Sequence, residues 1–288
     1  MYKTYFHLLR NPFDLTPDPN CFVPTPRHNE ALAALYFGVR QHKGFVVVTG
    51  EVGTGKTLLL RCLLRLLRNS KDIVYAYLFN SRLAPMDFLQ YVVADFGLPS
   101  SGKNKADLLL DLSKFLVARG RRQMTTVLIV DEAHDLPVET LEELRLLSNL
   151  ETTDDKLLQI VLVGQPELDK KLDSFELRQL KQRIALRTQL GALTAKQTQE
   201  YIEQRLRSAG ADPYNGTPFS SLAVAAIHSY SHGLPRLINI LCENALISAY
   251  AKETPTVTAR IIEDVASEFR LESYWQPERP VQVEQSST

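Results

Sequence analysis

A three-layer α/β domain on a parallel five-stranded sheet, followed by a small all-helical domain, is the fold class the sequence predicts, on three observations. Short runs rich in Val and Ile alternate with amphipathic stretches through the first two-thirds of the chain. One of those runs leads directly into a complete glycine-rich phosphate-loop pattern. Beyond Thr194 the strand signals stop and only helical periodicity remains.

The bulk numbers permit such a protein. The chain has 288 residues and is 44% apolar, enough for one large or two smaller cores. Lys plus Arg equals Asp plus Glu at 33 each, so no global field draws the chain to DNA or an acidic membrane. Cys21, Cys62 and Cys242 are far apart and form no C-x-x-C pair, which points to a reducing compartment and to neither disulfides nor zinc. Pro12, Asp14, Pro17 and Asp18 break up any N-terminal apolar stretch, and no window approaches the ~18 apolar residues a membrane helix needs. The expectation is a cytoplasmic protein that meets a membrane only through a partner.

Residues 1–26 carry Pro12, Pro17, Pro19, Pro24 and Pro26, each fixing φ and biasing its predecessor away from helix. They read as an extended arm, and Phe6, Phe13, Phe22 and Val23 suggest that it packs on the core. A helix is expected from Arg27 to about Gln41. Strands are expected at Phe45–Thr49, Ile73–Phe79, Val127–Val130, Leu158–Val163 and Ile184–Leu186, because these runs lack polar alternation and suit a sheet covered on both faces. Helices are expected at Thr57–Arg68, Met86–Phe96, Lys105–Arg119, Val138–Leu150 and Glu176–Gln182. The α/β domain is thus placed at residues 27–192. In the helical domain, residues 193–271, Thr194 with Gln197 reads as a capping box. Further helices follow near Pro218–Ser231, Pro235–Tyr250 and Thr258–Arg270, and the polar tail 272–288 reads as disordered.

Gly50-Glu51-Val52-Gly53-Thr54-Gly55-Lys56-Thr57 matches G-x-x-x-x-G-K-[ST] in full. Glycines let consecutive N–H groups turn towards phosphate oxygens, and the helix that follows adds its positive end. Lys56 is suited to the β and γ phosphates and the Thr57 hydroxyl to Mg²⁺, while Gly50 to Leu58 together form the candidate nucleotide contacts. The bare pattern arises by chance in roughly one chain in a hundred of this length, and the leading strand and trailing helix reduce that further.

Val127–Val130 ends in Asp131-Glu132 about 75 residues after the loop. An acid there can hold the magnesium shell and a second can deprotonate the attacking water, which assigns Asp131 and Glu132 respectively. Alone, such a pair usually marks a solvated loop start; downstream of a full phosphate loop the catalytic reading prevails. The run continues to Ala133-His134 and spells a helicase-type tetrapeptide, but the chain has room for one core and a helical lid, so His134 is read as supporting or structural.

The segments NPFDLTPDPNCFVPTPRHNEAL, GFVVVTGEVGTGKT, VLIVDEAHDL, LLQIVLVGQPEL, LRQLKQRI and GLPRLIN together resemble the ExeA/GspA family of AAA+ ATPases, general secretion pathway protein A and its relatives. The resemblance covers roughly residues 1–270 and implies a sheet order 5-1-4-3-2, a helical lid, and ATP with Mg²⁺ as ligands. It implies a γ-phosphate sensor at Gln165, against which stands a plain turn residue before Pro166. It implies that Asn80 restrains Glu132. It implies an arginine finger acting in a neighbouring subunit of a homo-oligomer, conceivably a hexamer, at Arg183 with Arg178 as competitor. Arg236, in Gly233-Leu234-Pro235-Arg236, matches the lid's sensor; a cation in the first turn of a helix opposes the dipole, which argues for an anion nearby. Pro12-Phe13 and Arg27-His28 border the adenine on the same resemblance.

Weaker signals point elsewhere. Arg119, Arg121 and Arg122 suit either DNA contact or a helix C-terminus, and zero net charge favours the latter. Arg61, Arg65 and Arg68 share one helix face and read as surface or intersubunit residues; His7, His28, His42, His228 and His232 lack metal spacing. The leading function is an ATPase that drives a partner machine in secretion, pilus or exopolysaccharide export. The rivals are an ATP-dependent DNA-binding regulator resembling the transposition ATPases and a nucleotide-gated scaffold with little hydrolysis. Secretion members of the family often continue into a membrane helix and an envelope-binding domain; this sequence holds neither, which leaves two expectations, a soluble branch tied to polysaccharide export or protein sorting, or a partner that supplies the membrane link.

Overall fold

The computed structural model describes residues 1–79, 82–151, 155–212 and 216–273 and divides into two compact units, residues 16–191 and residues 1–15 with 192 onward. Asn80 and the tail beyond Ser273 lie outside the described residues.

The first unit is built on β1 (Phe45–Gly50), β2 (Ile73–Leu78), β3 (Thr125–Val130), β4 (Gln159–Gly164) and β5 (Ile184–Leu190), all parallel, in the order β2-β3-β4-β1-β5. This is the order the resemblance implied, read from the other edge. β1, β3 and β4 are buried along their whole length, because helices cover both faces, which is why their sequences lack polar alternation.

Successive side chains divide between two cores. Val46 and Val48 of β1, Val127 and Ile129 of β3 and Val161 and Val163 of β4 pack with α2 (Pro26–Arg40) and α3 (Lys56–Arg68). Val47, Leu128, Val130, Ile160 and Leu162 pack on the other face with α4 (Pro85–Asp95), α5 (Lys105–Gly120) and α6 (Val138–Leu147). The same core takes in Leu168 and Leu172 of α7 (Pro166–Leu172) and Leu180 of α8 (Arg178–Lys181). Gly38 lets α2 lie against β1, since a Cβ there would fall 2.3 Å from a Val46 methyl.

Three local departures have physical causes. β5 runs to Leu190, not Leu186: it is an edge strand whose exposure alternates, so Arg187 and Gln189 point outward and interrupt the apolar run. α7 begins at Pro166, a residue suited to the first helical position, where the sequence suggested only a turn. The N-terminal arm is not extended throughout, since α1 (Tyr2–Tyr5) and a 3₁₀ turn at Pro19–Cys21, capped by Asp18, interrupt it. The arm is also divided, its first fifteen residues falling in the helical unit.

That helical unit contains α9 (Ala195–Ser208), α10 (Ser221–Ser231), α11 (Pro235–Ala251) and α12 (Ala259–Glu268). Thr194 and Gln197 form the capping box at the head of α9. The N-terminal residues are built into it. Phe13 is fully buried, edge-on to Phe219 at 5.9 Å, and the buried Arg205 donates to the carbonyls of Pro12 and Asp14 at 2.5 and 3.1 Å. Tyr2 donates to Glu243 of α11 at 2.7 Å.

Candidate functional site

Parallel strands end together. The register pairs Thr49 with Gly164 and Val130 with Leu162, so the loop after β1, the acidic pair after β3 and Gln165 after β4 share the carboxyl edge of the sheet. In open α/β sheets that edge is where ligands bind.

The glycine-rich loop leaves β1 through Gly50, where a Cβ would meet the Leu190 carbonyl at 2.8 Å. Gly53 and Gly55 have φ of 85° and 98°, values that L side chains adopt only with strain. Gly55 is the N-cap residue of α3, and Thr54, wholly buried, closes the loop by donating to the Glu51 carbonyl at 2.8 Å. Lys56 is 7% exposed, and its ammonium donates to the carbonyls of Gly50 at 2.8 Å and Glu51 at 3.0 Å. Burial lowers its pKa, opposed by the negative charges of Glu132, Asp131, Glu51 and Glu167. Thr57 and Leu58 are partly exposed in the first turn of α3, and Glu51 and Val52 are exposed at the loop's crest.

Two neighbours brace the site. His28 of α2 is buried, with Nδ1 2.7 Å from the Thr25 hydroxyl and Nε2 2.9 Å from the Thr54 carbonyl. Thr25 also caps α2 by accepting the His28 N–H, so its hydroxyl proton is free for Nδ1 and the ring donates from Nε2 to the loop. Burial lowers the His28 pKa, consistent with that neutral form. Thr49 donates to Asp169 of α7 at 2.7 Å, and Arg187 of β5 clamps the same carboxylate.

Asp131 is 5% exposed, accepts from the Tyr77 hydroxyl at 3.1 Å and from the Glu132 N–H at 2.9 Å. Its pKa is raised, chiefly by burial, against the pull of the Glu132 N–H. Glu132 has φ 49° and ψ 39°, a left-handed conformation rare for a side chain of its size. Gln165 heads α7 without capping it, and its amide nitrogen lies 3.1 Å from His134 Nε2. The structure therefore brings together Gly50 to Leu58, Asp131, Glu132 and Gln165 on one edge, with His134 between the last two.

The proposed arginines lie differently. Arg183 donates to Ser148 Oγ at 2.7 Å and to the Arg145 carbonyl at 3.4 Å, both at the end of α6. Arg178 is exposed and lies over the Phe175 ring at 3.9 Å. Arg236 is exposed in the first turn of α11, in the helical unit. Arg119 is committed to Thr126 and to the carbonyls of Asp72 and Thr125, which removes it from a DNA-contact role. Tyr77 and Lys171 escaped the sequence reading, as did the contact by which His28, expected beside the adenine, braces the loop. They belong to no motif, and only the pairing of β2 with β3 and the packing of α2 and α7 bring them to the site.

The residues fit a nucleoside triphosphate with a divalent cation. Gly53 and Gly55 hold the loop in positive-φ backbone, a buried ammonium is held by the loop's own carbonyls, and the buried Asp131 carboxylate is near enough to act on its charge.

Comparison with known proteins gives the domain type and the fold. A family profile described as AAA domain matches residues 39–172. General secretion pathway protein A of Aeromonas hydrophila is 41% identical over 280 residues, covering 96% of this chain and 50% of that protein. The chain thus spans about half the length of this curated relative. Among solved structures, the ORC2 protein of Aeropyrum pernix superposes with a TM-score of 0.64 at 20% identity, over 92% of this chain and 73% of that one. Cdc6p from Pyrobaculum aerophilum gives 0.65 at 17% identity, over 89% and 70%. At these identities the solved structures establish the fold alone.

Proposed function

The chain belongs to the ExeA/GspA-type family of AAA-domain proteins, and on that premise we propose that it binds Mg-ATP and hydrolyses it to drive a partner assembly of a secretion or export system. The observation that carries this reading is the buried Lys56 ammonium, held by loop carbonyls beside the Asp131-Glu132 pair. Carbonyl oxygens are weak substitutes for phosphate oxygens, so the lysine is poised to exchange them for the β and γ phosphates.

In this reading the loop amides and Lys56 hold the phosphates, and the Thr57 hydroxyl and Asp131 hold magnesium. Magnesium bound with the nucleotide neutralises charge on the phosphate oxygens. Glu132 takes the proton of the attacking water, Gln165 senses the γ-phosphate, and Arg236 reports nucleotide to the helical unit. A neighbouring copy supplies the finger. Arg183 must leave Ser148 to serve, whereas Arg178 is already exposed, so both belong in the test. Secretion as the setting rests on the printed name of the relative.

Glu132→Gln is the deciding variant. It should bind ATP as the wild type does and turn over at least ~100-fold more slowly, the range of general-base contributions. Turnover at the wild-type rate removes Glu132 from its role. Arginine-finger action in trans requires turnover per subunit to rise with protein concentration and to drop in Arg178→Ala or Arg183→Ala.

A further inference from the structure

The water-activating carboxylate is held oddly. Glu132 occupies the left-handed region, which a glutamate keeps only where its surroundings impose it. Its side chain is 43% exposed overall, yet Oε2 is shut off from solvent and makes no hydrogen bond of ordinary geometry. The polar atom facing that oxygen is His134 Nδ1, at 3.4 Å. A contact of this length is typical of a catalytic pair before substrate draws it tight.

The far side of the same ring meets Gln165. His134 Nε2 lies 3.1 Å from the Gln165 side-chain amide, and the Gln165 backbone N–H donates to Nδ1 at 3.4 Å, the same nitrogen that faces Glu132. The ring is only 14% exposed. Its other charged neighbours are farther off or face its backbone. Asp135 Oδ1 is 3.9 Å from Nε2, with its second oxygen paired to Arg82 at 3.2 Å. Lys171 of α7 donates to the carbonyls of His134 and Leu136 at 2.5 and 2.8 Å, which pins the 3₁₀ turn Ala133–Asp135 to the helix headed by Gln165.

A neutral imidazole has one donor and one acceptor, so fixing one nitrogen fixes the other. Because the Gln165 backbone N–H donates to Nδ1, the neutral ring carries its proton on Nε2, gives it to the Gln165 amide oxygen, and leaves the Nδ1 lone pair towards Glu132. With the amide reversed, its NH₂ donates to Nε2, and the ring proton moves to Nδ1 and points at Glu132 at the cost of the backbone bond. The orientation of one amide therefore selects whether His134 attracts or repels Glu132.

We infer that His134 is a positioning residue that links Gln165 to Glu132, so that Gln165 sets the glutamate's placement through the imidazole. The linkage rests on the reading of Glu132 as the water-activating group. It replaces the view of His134 as a merely structural member of the Asp131–His134 run.

A double-mutant cycle on the full chain tests it. His134→Ala and Gln165→Ala should each lower kcat about tenfold or more with KM for ATP within twofold of wild type. The pair together should cost no more than the worse single variant, because the second change acts on a link already broken. His134→Asn, whose amide N–H reaches about as far as Nδ1, should recover much of the loss. Multiplying effects, or KM rising with no change in kcat, overturns the linkage. A second readout needs no turnover. Ring ¹⁵N spectra should show His134 protonated at Nε2, with that signal moving in Gln165→Ala and in Glu132→Gln; a signal that ignores both substitutions overturns the linkage. A wild type without hydrolysis would defeat the ATPase reading while leaving this spectrum decisive.

Discussion

Replacing His28 by alanine isolates the support beneath the phosphate loop. The ring is buried, joins Thr25 to the Thr54 carbonyl through contacts of 2.7 and 2.9 Å, and lies edge-on to Phe22 at 5.8 Å. Truncation strands a buried carbonyl, which costs ~1–3 kcal/mol, and leaves a void where the ring was, so ~2–4 kcal/mol in all is a fair expectation. For a unit of this size ~1 kcal/mol shifts Tm by about 2–4 °C, which places the variant roughly 4–16 °C below wild type. The pH dependence gives a sharper criterion. Because burial depresses the His28 pKa below its unfolded value, the unfolded chain binds the proton more readily. The ring's contribution is complete above the unfolded pKa, ~6.5, and is lost as pH falls below it towards the folded value. Differential scanning fluorimetry of wild type and His28→Ala at pH 7.5 and 5.5 should therefore show the gap in Tm narrowing at the lower pH. His228, whose pKa burial also lowers, is common to both proteins and cancels in the difference. An equal gap at both pH values refutes the neutral, loop-bracing histidine, and an unchanged Tm at pH 7.5 refutes the bracing altogether.

Further outcomes follow from single contacts. Tyr77→Phe removes the hydroxyl that orients Asp131, and should weaken the magnesium dependence of nucleotide binding about tenfold, read by titrating Mg²⁺ against a fluorescent ATP analogue. Lys56→Ala should weaken ATP binding by roughly tenfold to a hundredfold in the same assay, the value of one charge-assisted hydrogen bond. Gly233→Ala places a Cβ 2.0 Å from the Leu193 carbonyl at a φ of 73°, and should cost the helical unit at least ~3 kcal/mol in urea unfolding. Arg205→Ala unties Pro12 and Asp14, so hydrogen exchange at residues 1–15 should accelerate while the strands of the sheet stay protected.

The fold was legible wherever burial is symmetric. β1, β3 and β4 are covered on both faces, so their sequences are unbroken apolar runs, and the helices between them show a clean polar face. Legibility ended where symmetry does. Arg187 and Gln189 disguise the second half of β5, since an edge strand needs only one apolar face, and the seven residues of α7 are too few to display a period. Tyr2–Tyr5 have no local reason to fold, and α1 exists because Tyr2 reaches Glu243 and Tyr5 lies edge-on to Tyr250, contacts spanning nearly the whole sequence.

The candidate site divides the same way, along the distinction between backbone and side-chain chemistry. A loop that must curl its amides inward needs glycine at fixed spacing, so Gly50, Gly53 and Gly55 announce it in one dimension. Asp131 and Glu132 are nearly as plain once a full phosphate loop precedes them, since alone such a pair usually marks a solvated loop start. The groups that set those carboxylates are side chains from other elements. Tyr77 reaches Asp131 because β2 pairs with β3 in register from Ile73 to Leu78, and nothing in Ile-Val-Tyr-Ala-Tyr-Leu distinguishes that tyrosine from its neighbour Tyr75. His28 reaches Thr54 because α2 packs beside the loop, where a Cβ at Gly55 would fall 3.2 Å from its ring. His134 sits in the motif itself, yet its meaning depends on Gln165, 31 residues away just past the next strand. Sequence patterns therefore disclose the glycine loop and the acidic pair, whereas the groups that aim them become visible only when the sheet is assembled.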